Sequence, residues 1–539
     1  MANQEFAQID QIIQRNLKAF QKDGALTVRP GYKITGDWVT SKPAIVVTVK
    51  EKKDVPGDQQ LPAKIEGVPV DVRQASPVEL LRLANPDAYR ALLAQGRKEL
   101  TIAEFPQERL IATGEPVTPG PSAAEIEAEA KPQIKYTPAP GVQLDEVNEE
   151  MSITCHASPD AGWPTLKAFL TSTNSSLTVG MYDFTSGHIL QTLEATLGAR
   201  GELTLTLDNP PKNPSADQTD EETVTALAQT MKNRFAEAWA LVRSDKAIQK
   251  WIFPTAYHIK VAVKDSSSFW LSSGNWNNSN QPDFADPAHP TSNELTKADR
   301  DWHVVVENQT LAQIFEAFLK HDFQIASSNQ SGVGAQGFAI EEVLPEIQDI
   351  EALAAKPRRL FKPLDIQNKK IRIQPILTPD NYATQVLKLI ESAKSKFYMQ
   401  TQYIHPSDKD GDQDFMALIE AVKQKIADGL DVRLITSQFQ AQGGWLEKLQ
   451  EAGVDLSVVR IQNRVHNKGI VVDSGVVMLG SHNWSADGTL RNRDASLIVF
   501  DAEAASYYEQ IFVQDWTTLA KQSLPTPVAS SRAAKAGRQ

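Results

Sequence analysis

Residues 258–265 alternate in character: His258 and Lys260 are polar, Ile259, Val261 and Val263 are apolar, and Asp265 closes the run. Side chains on a strand point to alternate faces, so the pattern predicts a strand with one apolar core face and His258 and Lys260 together on the other. Residues 466–473 repeat it, with His466, Lys468 and Asp473 in the same places. Matching elements surround both copies. SITCHASPD and IRIQPILTPD read as short strands ending in Pro-Asp, followed by the amphipathic helices LKAFLTST and TQVLKLIESA. The β-rich runs SLTVGMYDF and KFYMQTQYI come next, then a further helix and strand, and each unit closes on a helix (LAQIFEAFLKHDF; AASYYEQIFVQDW). Strands alternating with helices predict an α/β fold. Two copies predict two similar βα-repeat domains related by a pseudo-twofold, with an active site between them.

Residues 1–110 have a different texture. FAQIDQIIQRNLKAF predicts an amphipathic helix with Phe6, Ile9, Ile12, Ile13, Leu17 and Phe20 near one face. The strand-like PAIVVTVK and VPVDVR and a helical pattern over 76–100 complete a small α+β accessory domain. Pro and Glu dominate much of 111–150, which reads as an extended linker. The expected division is therefore 1–110, the linker 111–150, a first repeat 151–345, a basic linker 346–370, a second repeat 371–525 and a disordered tail 526–539.

Composition changes this picture only a little. A net charge of −12 argues against a dedicated nucleic-acid binder, although KPRRLFKPLDIQNKKIR concentrates Lys356, Arg358, Arg359, Lys362, Lys369, Lys370 and Arg372. A solvated linker is the first reading of that run, ahead of an anion-binding patch. Cys155 is the only cysteine, so no intramolecular disulfide forms. No apolar run reaches the roughly eighteen residues of a membrane span. A cytoplasmic location is the expectation.

The repeated residues carry the chemistry. Asn275 follows His258, and Asn483 follows His466, by the same 17 residues, each with a tryptophan next (Trp276, Trp484). Ser273 and Ser481 also correspond, as do Asp301 and Asp494 farther on. One H-x-K-x4-D is expected by chance in on the order of a few per cent of chains this long, so two inside a repeat are a signal. If both strands meet, one cleft gains two imidazoles, two ammonium groups and two amides. That set suits a phosphodiester: lysines and amides bind the non-bridging oxygens, one imidazole attacks phosphorus, and the other moves the proton. The lysines supply the positive charge a metal would bring, so neither metal nor cofactor is expected. Trp276 and Trp484 read as packing residues, and His156, His188, His303 and His405 show no metal-ligand spacing. Cys155 and His156, adjacent on a strand, face opposite ways and make no nucleophilic pair.

The duplicated motif with its Ser-x-Asn resembles the phospholipase D superfamily over roughly residues 150–520. The resemblance implies His258 as phosphohistidine nucleophile and His466 as general acid and base. It implies Lys260, Lys468, Asn275 and Asn483, with Ser273 and Ser481, as phosphate ligands, and Asp265 and Asp473 as histidine-orienting groups. Asp301 and Asp494 stand where the family commonly has an acidic residue, often Glu, and are further candidates for orienting the histidines. Phospholipid ranks ahead of nucleic acid as the substrate. A regulatory protein with a degenerate site ranks last, because both His-Lys pairs are intact. The architecture suggests that residues 1–110, held off by the linker, bind a regulator or partner.

Overall fold

The computed structural model describes residues 2–94, 100–117, 136–208, 216–243, 249–253, 255–328 and 360–524. Its centre is one 14-stranded mixed sheet. The strands Val147–Ser158 and Leu364–Leu377 pair antiparallel in the middle. Outward from the first lie Asp301–Glu307, Ser268–Ser272, Lys260–Lys264, Ser176–Met181, Glu202–Leu207 and Phe235–Trp239. Outward from the second lie Ala495–Phe500, Val476–Gly480, Lys468–Val472, Lys396–Thr401, Asp431–Thr436 and Val459–Ile461. The succession is the same in both halves: first strand, last strand, the two strands of the motif hairpin, then three strands that run parallel to one another. Helices cover both faces, so the strands are buried on both sides. Ile259, Val261 and Val263 enter one core and Ala262 the other.

Two buried arginines cross between the halves. Arg300 donates to the Ser158 carbonyl and to Asp160 in its own half, and to Asp515 of the other at 2.9 Å. Arg493 does the same in mirror image, with the Thr378 carbonyl, Asp380 and, at 3.0 Å, Asp322. Buried guanidinium groups are tolerated only when each N–H finds an acceptor, and the two carboxylates flanking each arginine supply them. Together the pairs fix the relative position of the two halves.

The N-terminal unit is a five-stranded sheet, in the order Lys64–Ile65, Val68–Gln74, Trp38–Val49, Ala25–Thr35 and Arg109–Leu110. The helix Ala2–Arg15 buries Phe6, Ile9 and Ile13 against it, while Ile12 and Leu17 lie half-buried at the margin. The idea that the linker holds this unit away is corrected. Its apolar core is continuous with that of the second repeat, and beside it Glu447, fully buried, pairs with Arg29 and Arg73 and accepts from the Tyr32 amide at 2.9 Å. Trp445 Nε1 donates to the Thr101 carbonyl at 2.6 Å.

Two expected boundaries also move. Strand Leu364–Leu377 occupies part of the supposed basic linker, where Lys369 pairs with Asp501 at 2.6 Å and Arg372 with Glu146 at 3.0 Å. Ile366 and, past the register shift between Ile366 and Lys369, the alternating Ile371 and Ile373 enter the core and outweigh the run of charges. The Pro-rich stretch likewise ends early. Tyr136 already donates to Asp380 at 2.7 Å, and the first central strand starts at Val147. Residues 118–135, 329–359 and the tail lie outside the described residues, so the readings of those segments as linker and tail rest on sequence alone.

Candidate functional site

The site is assembled by backbone that crosses between the halves. Tyr257, just before His258, bridges Arg493, just before Asp494; Arg300, just before Asp301, bridges Val465, just before His466. The Arg493 amide donates to the Ala256 carbonyl at 2.9 Å, and the His466 amide to the Arg300 carbonyl at 3.1 Å. Each motif histidine therefore meets a carboxylate of the opposite half. His258 Nδ1 lies 2.7 Å from Asp494 Oδ1, and His466 Nδ1 lies 3.0 Å from Asp301 Oδ1. Each carboxylate is itself held. Ser481 Oγ donates to Asp494 and Ser273 Oγ to Asp301, both at 2.6 Å, and Asn492 and Asn280 donate to the second oxygens. Burial works against charge on Asp301, but His466, Lys468 and His303 outweigh it and hold the carboxyl below its usual range. At Asp494 burial wins over His482 and Lys260, and the carboxyl sits above that range.

Lys260 and Lys468 are buried, and each donates from Nζ to the carbonyl of its own motif histidine, 2.5 Å away at His258. Burial first, and repulsion from Lys468 among the charges, drive the Lys260 ammonium well below its ordinary pKa; Asp494 and Asp301 oppose this. The two lysines are thus in electrostatic reach of each other across the halves. Asn275 and Asn483 are buried, and their side-chain Oδ1 atoms accept no hydrogen bond in this structure. Such amides are ready to meet a ligand, since rotation presents either end. Tyr182 adds an aromatic wall that the sequence reading missed. Its ring centroid is 5.0 Å from that of His258, and Lys260 Nζ lies 5.1 Å over it. The signal was available, because Tyr182 continues the strand whose Met181 pairs with Lys260.

Two sets of expected roles change here. Asp265 and Asp473 do not orient the histidines. Asp265 lies five residue steps along the strand from Lys260, about 16 Å at ordinary strand rise, and it sits in the hairpin turn with a φ of 52°. Its carboxylate accepts from the amides of Asn174, Ser175 and Ser176 at 2.7–3.0 Å, tying the turn to the start of the neighbouring strand. Asp473 does the same with Lys394, Ser395 and Lys396. The four residues between lysine and aspartate measure the length of a strand. Ser273 and Ser481 hold Asp301 and Asp494 in place of binding phosphate, their hydroxyl protons being committed there. Asp301 and Asp494 orient the histidines, each across the interface.

A stability prediction follows from the hairpin carboxylates. Burial disfavours charge on Asp265, but the backbone donors prevail and lower its pKa to about 2. A carboxylate depressed in the folded state stabilises above its unfolded pKa, near 3.9, and loses that contribution as pH falls. Asp265→Asn should therefore melt below wild type at pH 7, with the gap closing between about pH 4 and pH 2. Turnover per folded molecule should not change. Thermal melts across that range check the first statement and kinetics the second.

Trp276 and Trp484 are buried, and Trp484 Nε1 donates to Tyr382 Oη at 3.1 Å, as packing residues do. Burial pushes the Cys155 thiol up to about 12, which makes it inert as a nucleophile. Among the described residues no group of His, Cys, Asp and Glu has the arrangement of a metal site, and no helix is long and apolar enough to cross a membrane.

Residues 386–516 match the family described as cardiolipin synthase, PLD-like domain. Mitochondrial cardiolipin hydrolase of Xenopus tropicalis is 34% identical over 102 residues, which cover 19% of this chain and 49% of that protein. Phospholipase D of Rickettsia bellii is 26% identical over 153 residues, covering 28% and 70% respectively. Among solved structures, phosphatidylserine synthase of Haemophilus influenzae Rd KW20 aligns over 70% of this chain and 89% of its own, with a TM-score of 0.46 at 14% identity. The match to the frog hydrolase thus spans about half of that protein's length.

Proposed function

For a chain that belongs to the phospholipase D superfamily, we propose a metal-independent phosphodiesterase that works through a phosphohistidine and acts on phospholipids. The observation that carries this reading is the crossed pairing of His258 with Asp494 and His466 with Asp301. With Nδ1 of each ring engaged, Nε2 is the atom through which each imidazole would act. His258 Nε2 attacks phosphorus while His466 gives its Nε2 proton to the departing alcohol oxygen, so the P–O bond breaks as the N–P bond forms. Water, or an acceptor alcohol, then loses its proton to His466 and attacks phosphorus, releasing His258. Lys260, Lys468, Asn275 and Asn483 hold the charge that builds on the non-bridging oxygens.

Two observations favour lipid over nucleic acid. The relatives named above include a cardiolipin hydrolase and a phospholipase D. In addition, Lys369 and Arg372, from the basic run that would have tracked a nucleic-acid backbone, stand beside Asp501 and Glu146, whose charges offset theirs on that surface.

The test is cleavage in EDTA of fluorescent phospholipid vesicles and labelled single-stranded DNA, by wild type and His258→Asn. Headgroup release by wild type alone, with phosphate trapped on His258, is the expected result. DNA cleavage with inert vesicles would reverse the substrate, and activity that survives His258→Asn would overturn the mechanism.

A further inference from the structure

A second imidazole lies behind each orienting carboxylate, and the two halves take it from different places in their sequences. In the first half it is His303, two residues after Asp301 and on the same strand face, fully buried. Its Nδ1 lies 2.6 Å from Ser272 Oγ and its Nε2 2.8 Å from Ser158 Oγ. The place two residues after Asp494 holds Ser496 instead. There the imidazole is His482, also fully buried, with Nδ1 2.7 Å from Ser496 Oγ and Nε2 3.3 Å from Thr378 Oγ1. Counted from the motif histidines, His482 corresponds to Gly274. Ser158 and Thr378 occupy equivalent positions, each at the end of a central strand and before a proline.

Steric reasons explain the exchange. A Cβ at Gly274 would lie 2.9 Å from the Asp301 carboxyl, so the first half cannot carry histidine there. Gly162 leaves room for the contact between Ser158 and His303, since a Cβ on it would lie 2.0 Å from Ser158 Oγ and 3.2 Å from His303 Nε2. In the second half Tyr382 takes that space and stacks on His482, with ring centroids 4.1 Å apart. The amides that donate to the second carboxylate oxygens show the same exchange. Asn280 comes from the loop after Asn-Trp, whereas Asn492 sits two residues before its aspartate. A Cβ at Gly488, the counterpart of Asn280, would lie 2.3 Å from the Asn483 carbonyl oxygen. The same chemical group reaches the same place by unrelated routes, so the place requires the group.

We propose that His303 and His482 are positioning residues, neutral imidazoles that pin the two Ser-x-Asn loops; the inference rests on the phosphodiesterase reading above. In the first half Ser158 Oγ donates to the Asn280 carbonyl at 2.5 Å and so accepts from His303 Nε2, which leaves His303 Nδ1 to accept the hydroxyl proton of Ser272, whose Oγ in turn accepts from the Gly274 amide at 2.7 Å. That fixes Ser273 on Asp301 and places Asn275. In the second half His482 is itself the middle residue of the loop and anchors Ser481 and Asn483 directly. Burial pulls His303 down to about 4 and His482 to about 3, so both stay neutral at working pH and keep one donor and one acceptor nitrogen.

Leu and Gln fill similar volumes, but only Gln can hydrogen-bond the two hydroxyls. His482→Leu should lower kcat by about 10–100-fold with a KM within about threefold of wild type, while His482→Gln recovers most of the rate. The assay uses vesicles, single-stranded DNA and bis(p-nitrophenyl) phosphate in parallel, with melting curves to confirm folding. Leu as active as Gln would mean that the ring only fills space and would overturn the inference alone. If His482→Leu fails to fold, His303→Leu and His303→Gln put the same question in the other half. A wild type inert on all three substrates would overturn the phosphodiesterase reading and this inference with it.

Discussion

Asp494→Asn is expected to lower turnover by about three to four orders of magnitude, nearly as far as loss of His258, although 236 residues separate the two in the chain. The amide keeps the shape of the carboxylate but can present a donor to His258 Nδ1, which favours the tautomer with the proton on Nε2. It also removes the charge that would stabilise an imidazolium phosphate. Because the two groups act as a unit, the double variant His258→Asn/Asp494→Asn should be no slower than His258→Asn alone. Asp301→Asn should act instead through His466 and proton transfer. Its defect should therefore shrink on a substrate whose leaving group is p-nitrophenolate, which departs without a proton. Single-turnover trapping of phosphoenzyme separates the two cases. If Asp494→Asn keeps wild-type turnover, the crossed pairing has no catalytic role. If the leaving-group effect appears with Asp494→Asn instead, the two histidines exchange roles.

The second large effect concerns stability. Arg300→Leu is expected to cost about 3–5 kcal/mol, measured by urea unfolding, because it strands the Asp160 and Asp515 carboxylates in a fully buried site. Asp515 retains amide donors from Gln400 at 2.9 Å and Gln462 at 3.1 Å, so the protein should still fold. Stranded carboxylates have folded-state pKa values above their unfolded ones. Their destabilisation is greatest at neutral pH and eases as pH falls toward the folded values. Adding Asp515→Leu should recover part of the loss, since the double change removes a buried charge along with its partner. A cost below 1 kcal/mol would mean that the guanidinium does not hold the halves together. Arg300 also abuts the bridge that sets His466, so surviving protein should turn over more slowly.

The sequence by itself carried the α/β class, the duplication, and the pairing of His258 with Lys260 and of His466 with Lys468. Strand alternation and a fixed 17-residue step to Asn275 and Asn483 are local properties, and local properties are written in local order. It offered all four aspartates as partners of the histidines and could not tell which pair reaches them. Asp265 and Asp473 are next to the motif in sequence yet lie a strand's length from its lysines, whereas Asp301 and Asp494 reach the histidines only because the chain crosses between halves at the Tyr257–Arg493 and Arg300–Val465 bridges. Spacing cannot reveal a contact made between two repeats, since either repeat alone is a complete pattern. The same reason hid His303 and His482. They share a role but no sequence position, and what makes them equivalent is room left by Gly162 in one half and taken by Tyr382 in the other. Likewise the charges of Lys369 and Arg372 announced a solvated linker, until Ile366, Ile371 and Ile373 found a core that only the folded central sheet provides. Residue type and period fix what a segment can offer, while burial and the opposing surface decide which offer is taken.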